Sequence, residues 1–225
     1  MIINSTTDTS LSRHGSSRFY ILSIYLMIFM VASLLFAVTV SAKPIKKLMI
    51  FGDSLTAGYG LKKKNSFSEK LSNALKRKGF DIYIITSSIS GDTTAGGRAR
   101  IDWALAENPD FLLLELGAND GLRGINPLVT RENLEVILRK LQKNGVKTLL
   151  AGMLAPPNLG KEYSNEFNNI YFSLAEKYGT LFYPFFLEGV ATEPKLNQED
   201  GIHPNSDGID EIVKRMLPIV LKLVK

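Results

Sequence analysis

The sequence predicts an α/β domain in which helices cover both faces of a five-stranded parallel sheet, a three-layer α/β/α sandwich. From Ile45 onward, short apolar runs alternate with amphipathic segments, which is the order expected of repeated strand-helix units. Several short runs, such as Phe111 to Leu114, are continuously apolar, as is typical of strands buried on both faces. No repeat or low-complexity linker interrupts the sequence after residue 42, so we expect one domain over residues 43–225.

The predicted strands are the short apolar runs, each between four and eight residues long. They cover Lys47 to Phe51, Asp81 to Ser87, Phe111 to Leu116, Val146 to Met153 and Thr180 to Tyr183. This length range is the usual one for buried strands and is too short for most helices.

Amphipathic segments predict the helices. They cover Phe67 to Lys78, Thr94 to Glu107, Thr130 to Asn144, Asn165 to Tyr178 and Asn205 to Leu221. Gly79 and Gly145 follow two of these segments and can adopt the left-handed conformation that ends a helix. Thr130 and Asn205 are the expected N-caps of two others. Pro218 lies inside the last segment, so we expect that helix to kink or to end early.

Composition narrows the functional classes. The chain carries 27 Lys and Arg against 22 Asp and Glu, a formal net charge of +5, and most basic residues lie on predicted helices beside acidic ones. Nucleic-acid binding usually needs a basic face or stripe, so no nucleic-acid partner is expected. Without cysteine, the chain has no disulfide and no thiol nucleophile. Too few histidines and cysteines remain for a typical metal site, and we expect neither a metal nor another cofactor.

Residues 1–42 have the pattern of an export signal. Arg13 and Arg18 precede an uncharged stretch from Phe19 to Val40, which is followed by small residues ending at Ala42. This pattern predicts cleavage near Ala42 and an exported, periplasmic product if the source is bacterial. The stretch of about 22 residues would extend roughly 33 Å as a helix, enough to span a bilayer, so an uncleaved membrane anchor is the alternative. In both cases the basic flank stays in the cytoplasm and the remainder lies outside it.

A single histidine follows the leader. His203 lies three residues after Asp200, whereas the other histidine, His14, precedes the apolar stretch of the leader. An imidazole oriented by an aspartate is the usual base for a serine hydroxyl, because the carboxylate fixes the tautomer of the ring. Ser54 is the best candidate nucleophile, since it lies in the turn just after the first predicted strand, whose apolar run ends at Phe51.

A tetrahedral oxyanion also needs hydrogen-bond donors. The candidates are the backbone N–H groups of Ser54 and Gly91 and the side-chain amide of Asn119. These residues follow the first, second and third predicted strands, and the carboxyl ends of parallel strands share one edge of the sheet. Asp53 is interpreted as a structural hydrogen-bonding partner, because sequence neighbours rarely point at the same atom. Trp103 lies in an amphipathic helix and is expected in the core.

Four sequence blocks resemble, in order, those of the SGNH or GDSL hydrolases. They are Gly52-Asp53-Ser54-Leu55, Gly91, Gly117-x-Asn119-Asp120 and Asp200-x-x-His203. Longer segments, such as Asp200 to Asn205, resemble the bacterial periplasmic thioesterase I, lysophospholipase L1 and arylesterase subgroup. The resemblance covers nearly the whole chain after the leader and implies a flavodoxin-like sheet. It also implies the same five roles: a Ser54 nucleophile, oxyanion donors from Gly91 and Asn119, and a triad completed by Asp200 and His203.

The resemblance implies acyl esters, thioesters and lysophospholipids as small-molecule substrates. An apolar groove for the acyl chain is predicted from loops after the third and fourth strands, formed by Leu122, Ile125, Pro156, Pro157 and Leu159. Ala118 departs from the subgroup, which often has glycine there. Two alternatives stay open: an O-deacetylase acting on envelope carbohydrate, and a non-catalytic lipid-binding protein. A monomer is expected, with any membrane association made through the N-terminal apolar segment.

Overall fold

The computed structural model describes residues 20–30 and 44–225, and the chain divides into two compact units, Met1–Pro44 and Ile45–Lys225. In the first unit, residues 20–30 form a helix, α1, whose side chains are exposed. The rest of the predicted leader, including the expected cleavage site after Ala42, lies outside the described residues. Within residues 20–30 and 44–225, no helix is both long enough and apolar enough to cross a bilayer.

The second unit is built on a five-stranded sheet whose pairings are all parallel. Its strands are β1 (Lys46–Gly52), β2 (Ile82–Ser88), β3 (Phe111–Glu115), β4 (Lys147–Ala151) and β5 (Leu181–Tyr183). The five predicted strands are therefore confirmed, with ends that differ by at most two residues. The strand order is β2-β1-β3-β4-β5, which is the flavodoxin-like order.

Helices cover both faces of the sheet. They are α2 (Ser54–Ala57), α3 (Phe67–Arg77), α4 (Thr94–Leu105), α5 (Ala118–Leu122), α6 (Pro127–Lys143), α7 (Lys161–Tyr178) and α8 (Ser206–Leu223). Helices α3 and α8 pack against each other, and α6 packs between α4 and α7. The predicted three-layer sandwich is confirmed. Helices α2 and α5 lie outside the predicted segments, because four or five residues are too few to show a helical period.

Two predictions about helix ends are wrong. Helix α6 begins at Pro127, not at Thr130, because the side chain of Asn126 accepts a hydrogen bond from the Leu128 N–H and Pro127 fits the first turn. The expectation that α8 ends early at Pro218 is wrong, since the helix continues to Leu223, whereas the alternative of a kink at Pro218 stays a prediction. Apolar residues on both sides of the proline stay buried against the sheet, which offsets the missing backbone hydrogen bond.

The prediction that Trp103 lies in the core is also wrong, since 83% of its surface is exposed. The buried face of α4 is formed by Thr94, Gly97, Ile101 and Ala104, which recur every three or four residues. Gly97 allows this face to pack closely, because a Cβ there would lie 2.3 Å from a methyl group of Leu116. Trp103 falls outside that spacing and projects into solvent.

Candidate active site

Ser54 lies at the turn from β1 into α2, and the chain around it is tightly held. Asp53 caps α2, since its Oδ1 accepts a hydrogen bond of 3.0 Å from the Leu55 N–H. Gly52 leaves room for Glu115 from the neighbouring strand, because a Cβ at Gly52 would lie 2.5 Å from Glu115 Oε2. Gly58 ends α2 in the left-handed conformation, with φ of 83°. The Ser54 hydroxyl is therefore carried on a short, capped turn at the carboxyl edge of the sheet.

His203 and Asp200 reach Ser54 from the loop before α8. The Nε2 atom of His203 lies 2.9 Å from Ser54 Oγ, and its Nδ1 atom lies 2.7 Å from Asp200 Oδ2. The other Asp200 oxygen accepts hydrogen bonds of 3.0 Å from the backbone N–H groups of Ile202 and His203. The three residues singled out in the sequence thus form one continuous hydrogen-bonded series.

The electrostatics of Asp200 suit an orienting carboxylate. Partial burial is the largest influence on its pKa and acts upward, but hydrogen bonds from the N–H groups of His203 and Ile202 and from the imidazole outweigh it. Together they lower the pKa of Asp200 to about 2. Asp200 therefore remains charged at neutral pH and can stabilise a protonated imidazole.

Gly91 lies on the loop after β2, next to the turn that carries Ser54. The Ile89 N–H donates to the carbonyl of Gly52 at 3.1 Å, which fastens this loop to the end of β1. Arg123 donates to the Gly91 carbonyl at 3.0 Å, and Gly91 adopts a left-handed φ of 82°. Within residues 44–225, the backbone N–H groups of Ser54 and Gly91 have no acceptor, so both remain available to a substrate oxygen.

The amide of Asn119 follows β3 and is fixed on two sides. Its Nδ2 atom donates to Asp53 Oδ2 at 3.1 Å and to the carbonyl of Asp92 at 3.0 Å. Both neighbours can only accept, which assigns the nitrogen rather than the oxygen to this position. Because an amide has two hydrogens, a substrate oxyanion must share or replace one of these bonds.

Two loop-stabilising residues follow Asn119. Asp120 is fully buried, where it accepts hydrogen bonds from the Thr94 N–H at 2.9 Å, from the Thr94 hydroxyl and from the Thr130 hydroxyl at 3.1 Å. Arg123 stabilises the Gly91 loop through its hydrogen bond to the Gly91 carbonyl. These contacts join the segments after β2 and β3, and they position the oxyanion candidates relative to each other.

Sequence reasoning missed two residues that hold the histidine loop. Gln198 donates from Nε2 to the carbonyl of Tyr59 at 2.8 Å and to that of Pro204 at 3.0 Å. The Tyr59 ring lies 4.5 Å from the His203 ring, centroid to centroid, at an angle of 36°. Gln198 thus joins the loop that follows the nucleophile to the loop that carries the imidazole. A glutamine in a polar loop gives no sequence signal for such a role.

A cavity of about 450 Å³ opens beside Ser54, Asn119 and His203. Leu122, Pro156 and Pro157 of the predicted groove line this cavity. Ala118, the residue that departs from the subgroup pattern, also lines it, and further apolar lining comes from Met153, Leu154, Ala155, Phe185, Leu187 and Ile202.

Ile125 and Leu159, which were predicted to line the groove, lie outside the cavity. Ile125 follows the turn at Gly124, and its carbonyl accepts a hydrogen bond of 2.8 Å from the Tyr163 hydroxyl. Leu159 ends a short 3-10 helix and lies near Gly124. Both residues therefore lie beside the turn at Gly124 and not on the cavity surface. Among the described residues, no cluster of histidine, aspartate or glutamate side chains is arranged to hold a metal ion.

The fold and the site together define a class: α/β enzymes that hydrolyse esters at the carboxyl edge of a parallel sheet. The chain belongs to the GDSL-like lipase/acylhydrolase family, whose model matches residues 50–210. The resemblance to SGNH and GDSL hydrolases inferred from the sequence is therefore confirmed.

Individual relatives agree with this family. An arylesterase of Vibrio mimicus is 41% identical over 77% of this chain and 88% of its own length. A thioesterase 1/protease 1/lysophospholipase L1 of Escherichia coli is 36% identical over 81% of this chain and 88% of its own. The crystal structure of TesA superposes with a TM-score of 0.76 at 38% identity, covering 79% of this chain and 99% of the other. The chain is thus similar to ester-hydrolysing enzymes over almost all of the second unit.

Proposed function

We propose that this protein is an exported serine esterase that hydrolyses acyl esters and thioesters through an acyl-enzyme on Ser54. The hydrogen-bonded series from Asp200 through His203 to Ser54, placed beside an apolar cavity, is the observation that carries the proposal. The names of the relatives, arylesterase and thioesterase 1/protease 1/lysophospholipase L1, support esters and thioesters as substrates.

In the proposed first half-reaction, Ser54 Oγ attacks the carbonyl carbon of the substrate while its proton moves to His203 Nε2. Asp200 stabilises the resulting imidazolium, and the oxyanion receives hydrogen bonds from Ser54, Gly91 and Asn119. Collapse of the intermediate breaks the bond to the alcohol or thiol, which leaves with the proton from Nε2. Water then attacks the acyl-enzyme with His203 as base, and release of the acid restores Ser54.

A fluorophosphonate probe tests whether the site is reactive. The probe should phosphonylate Ser54, and mass spectrometry of the peptide carrying that residue would locate the adduct. A lipid-binding protein that merely retained the fold would stay unlabelled, and that result would contradict the proposal. Prior modification with an ester-like inhibitor should block labelling, because both reagents need the same hydroxyl.

The apolar lining of the cavity favours acyl chains over acetyl groups as substrates. We expect kcat/KM for the p-nitrophenyl octanoate ester to exceed that for acetate by ~10²-fold, since each buried methylene contributes about 0.8 kcal/mol and burial is incomplete. Replacing the lining residue Ala191 with phenylalanine should reduce this preference at least ~10-fold by filling part of the cavity, with little change for the acetate ester. Strict preference for acetate would instead support the O-deacetylase alternative.

Asn119→Ala should lower kcat by ~10²-fold to 10³-fold, because one of three proposed oxyanion donors is lost. KM should change little, since the ground-state carbonyl gains less from this donor than the oxyanion does. Steady-state kinetics on the octanoate ester measure both values. Asn144→Ala, an exposed amide at the end of α6, is the matched control and should leave kcat unchanged. A kcat within threefold of wild type would remove Asn119 from the mechanism.

Export is proposed from the leader sequence alone. Arg13, Arg18 and the uncharged stretch after them support a signal peptide, and the periplasm is the expected destination in a bacterial source. N-terminal sequencing of the protein purified from its source tests this directly. A start at Lys43 would support cleavage after Ala42, and a start at Met1 would support the anchored alternative.

A further inference from the structure

Glu115 is a carboxyl group buried beneath the turn that carries Ser54. It ends β3 and has no exposed surface. Its Oε2 atom accepts hydrogen bonds from the Asp53 N–H at 3.3 Å and from the Thr56 hydroxyl at 3.1 Å. Its Oε1 atom is also buried, yet no donor of the described residues reaches it. An ionised carboxylate in this position would leave one charged oxygen both desolvated and unpaired, which is costly.

Asp53 is the partner that we infer for Oε1, because its backbone N–H already bonds Glu115 Oε2 at 3.3 Å and its carboxylate is close enough to interact with that of Glu115. Two carboxyl groups in contact cannot both ionise cheaply, so one of them keeps a proton. Burial raises the pKa of Asp53 to about 6. Burial, followed by the charge of Asp53, raises the pKa of Glu115 well above its ordinary value. Both Asp53 oxygens already accept hydrogen bonds, whereas Glu115 Oε1 receives none, so we place the proton on Glu115 and the charge on Asp53.

The contacts of Asp53 agree with this assignment. Both of its oxygens accept hydrogen bonds: Oδ1 from the Leu55 N–H at 3.0 Å and Oδ2 from the Asn119 amide at 3.1 Å. A neutral Glu115 that donates through Oε1 adds a third bond to the same carboxylate. Asp53 therefore has only donors around it, and Glu115 has no unpaired oxygen.

We propose that neutral Glu115 donates a hydrogen bond to the Asp53 carboxylate, that Asp53 in turn fixes the Asn119 amide, and that both acids are positioning residues for the oxyanion site. The inference rests on the proposed function of Asn119. It gives the aspartate of the Gly52-Asp53-Ser54-Leu55 block a second task besides capping α2. It also explains why a carboxylic acid occupies the end of an otherwise apolar strand.

Other ionisable groups face this pair from the elements packed around it. His203 lies on the substrate side, and its charge favours ionised Asp53. Arg100 of α4 donates to the Gly52 carbonyl at 3.0 Å and to Asp92 at 2.7 Å. The Tyr171 hydroxyl of α7 donates to the Leu116 carbonyl at 3.0 Å. None of these contacts supplies a donor to Glu115 Oε1, so the proton on Glu115 itself is needed.

The first test compares Glu115→Gln with wild type in thermal unfolding between pH 5 and pH 8. Glutamine keeps the shape of the neutral acid and replaces its O–H with an N–H. Folded Glu115 holds a proton that the unfolded chain releases near the ordinary glutamate pKa, so wild-type stability should fall as pH rises through this window. The variant lacks this loss, so its melting temperature should rise relative to that of wild type between pH 5 and pH 8. If the difference in melting temperature between variant and wild type did not grow from pH 5 to pH 8, Glu115 would be ionised in the folded protein and the proposal would be overturned.

Infrared spectroscopy reads the proton directly and without catalysis. Wild type at pH 7 should show a protonated-carboxyl band that Glu115→Gln lacks, and the same band in both proteins would refute the assignment.

Kinetics test the positioning role. Asp53→Asn, which keeps the capping oxygen, should lower kcat by ~10-fold or more with little change in KM. Glu115→Leu should lower kcat similarly, and glutamine at this position should recover most of that loss.

These measurements separate two kinds of failure. If Ser54→Ala hydrolyses esters as well as wild type does, the proposed function fails, while the infrared band and the pH-dependent melts still report the proton on Glu115. If Ser54→Ala is inactive but glutamine and leucine at position 115 reduce kcat equally, the positioning role fails and the esterase assignment stands. Should Glu115→Leu not fold, the glutamine variant and Asp53→Asn still decide the question.

Discussion

Replacing Ser54 with alanine is expected to reduce kcat/KM for ester hydrolysis by ~10⁴-fold or more, since the proposed covalent route cannot begin without the hydroxyl. The oxyanion donors and the cavity survive this change, so weak residual hydrolysis above the uncatalysed rate is expected. The substitution removes one atom from a largely buried side chain and should leave the melting temperature close to that of wild type. Hydrolysis of p-nitrophenyl octanoate, followed with purified wild type and variant, measures the effect.

A matched serine variant tests whether the loss of activity is specific to the hydroxyl of Ser54. Ser164→Ala removes a partly exposed hydroxyl in the first turn of α7, whose one hydrogen bond among the described residues goes to the carbonyl of Gly160. This control should keep full activity and full labelling by a fluorophosphonate. If Ser54→Ala retained more than about a tenth of wild-type activity after contaminating host esterases had been excluded, Ser54 would not be the nucleophile.

Asp200→Asn is expected to lower kcat by ~10³-fold to 10⁴-fold while leaving the loop in place. Asparagine can still accept the two backbone hydrogen bonds through its oxygen, but its amide nitrogen then faces His203 Nδ1 and favours the wrong tautomer. The variant should bind substrate with nearly the same KM. Steady-state kinetics and a thermal melt distinguish this outcome from misfolding.

The pH dependence of stability provides a second test of the ionised state of Asp200. Because the folded pKa is lowered to about 2 from an ordinary value of 3.8, the stability that Asp200 contributes is present above pH 4 and is lost as pH falls towards 2. Its protonation therefore cannot account for any loss of wild-type activity between pH 4 and pH 8.

Asp207→Asn, in the first turn of α8, is the matched control for Asp200→Asn and should leave the pH profile of activity unchanged. An Asp200→Asn enzyme within tenfold of wild type would show that the imidazole needs no carboxylate.

The sheet was predictable because its three central strands, β1, β3 and β4, are buried on both faces. Runs such as Phe111 to Leu114 carry no alternation, and only a parallel sheet covered on both sides accounts for several of them in one chain. The contact between Ser54 and His203 was predictable from the strand topology and from the presence of a single histidine in the domain. Parallel strands bring their carboxyl ends to one edge, and the domain has no second histidine to consider.

Features that depend on tertiary contacts could not be predicted in this way. Trp103 is exposed because neighbouring helices select a different face of α4, and a helical period alone does not say which face that is. Ile125 and Leu159 do not line the cavity, and both lie close to the turn at Gly124. Glu115 gave one signal, a carboxylic acid between Leu114 and Leu116, but the sequence does not show that Asp53 would lie against it.

The bond between Ser54 and His203 joins residues 149 positions apart, and it has a consequence for biosynthesis. His203 precedes α8, which is docked on α3 by hydrogen bonds of 2.7 Å from Lys70 to the Ser206 carbonyl and to Asp210. A nascent chain that has emerged only as far as β5 carries Ser54 without the imidazole of His203. A polypeptide that stops before His203 is therefore expected to be inactive as an esterase, although it already carries the complete turn around Ser54.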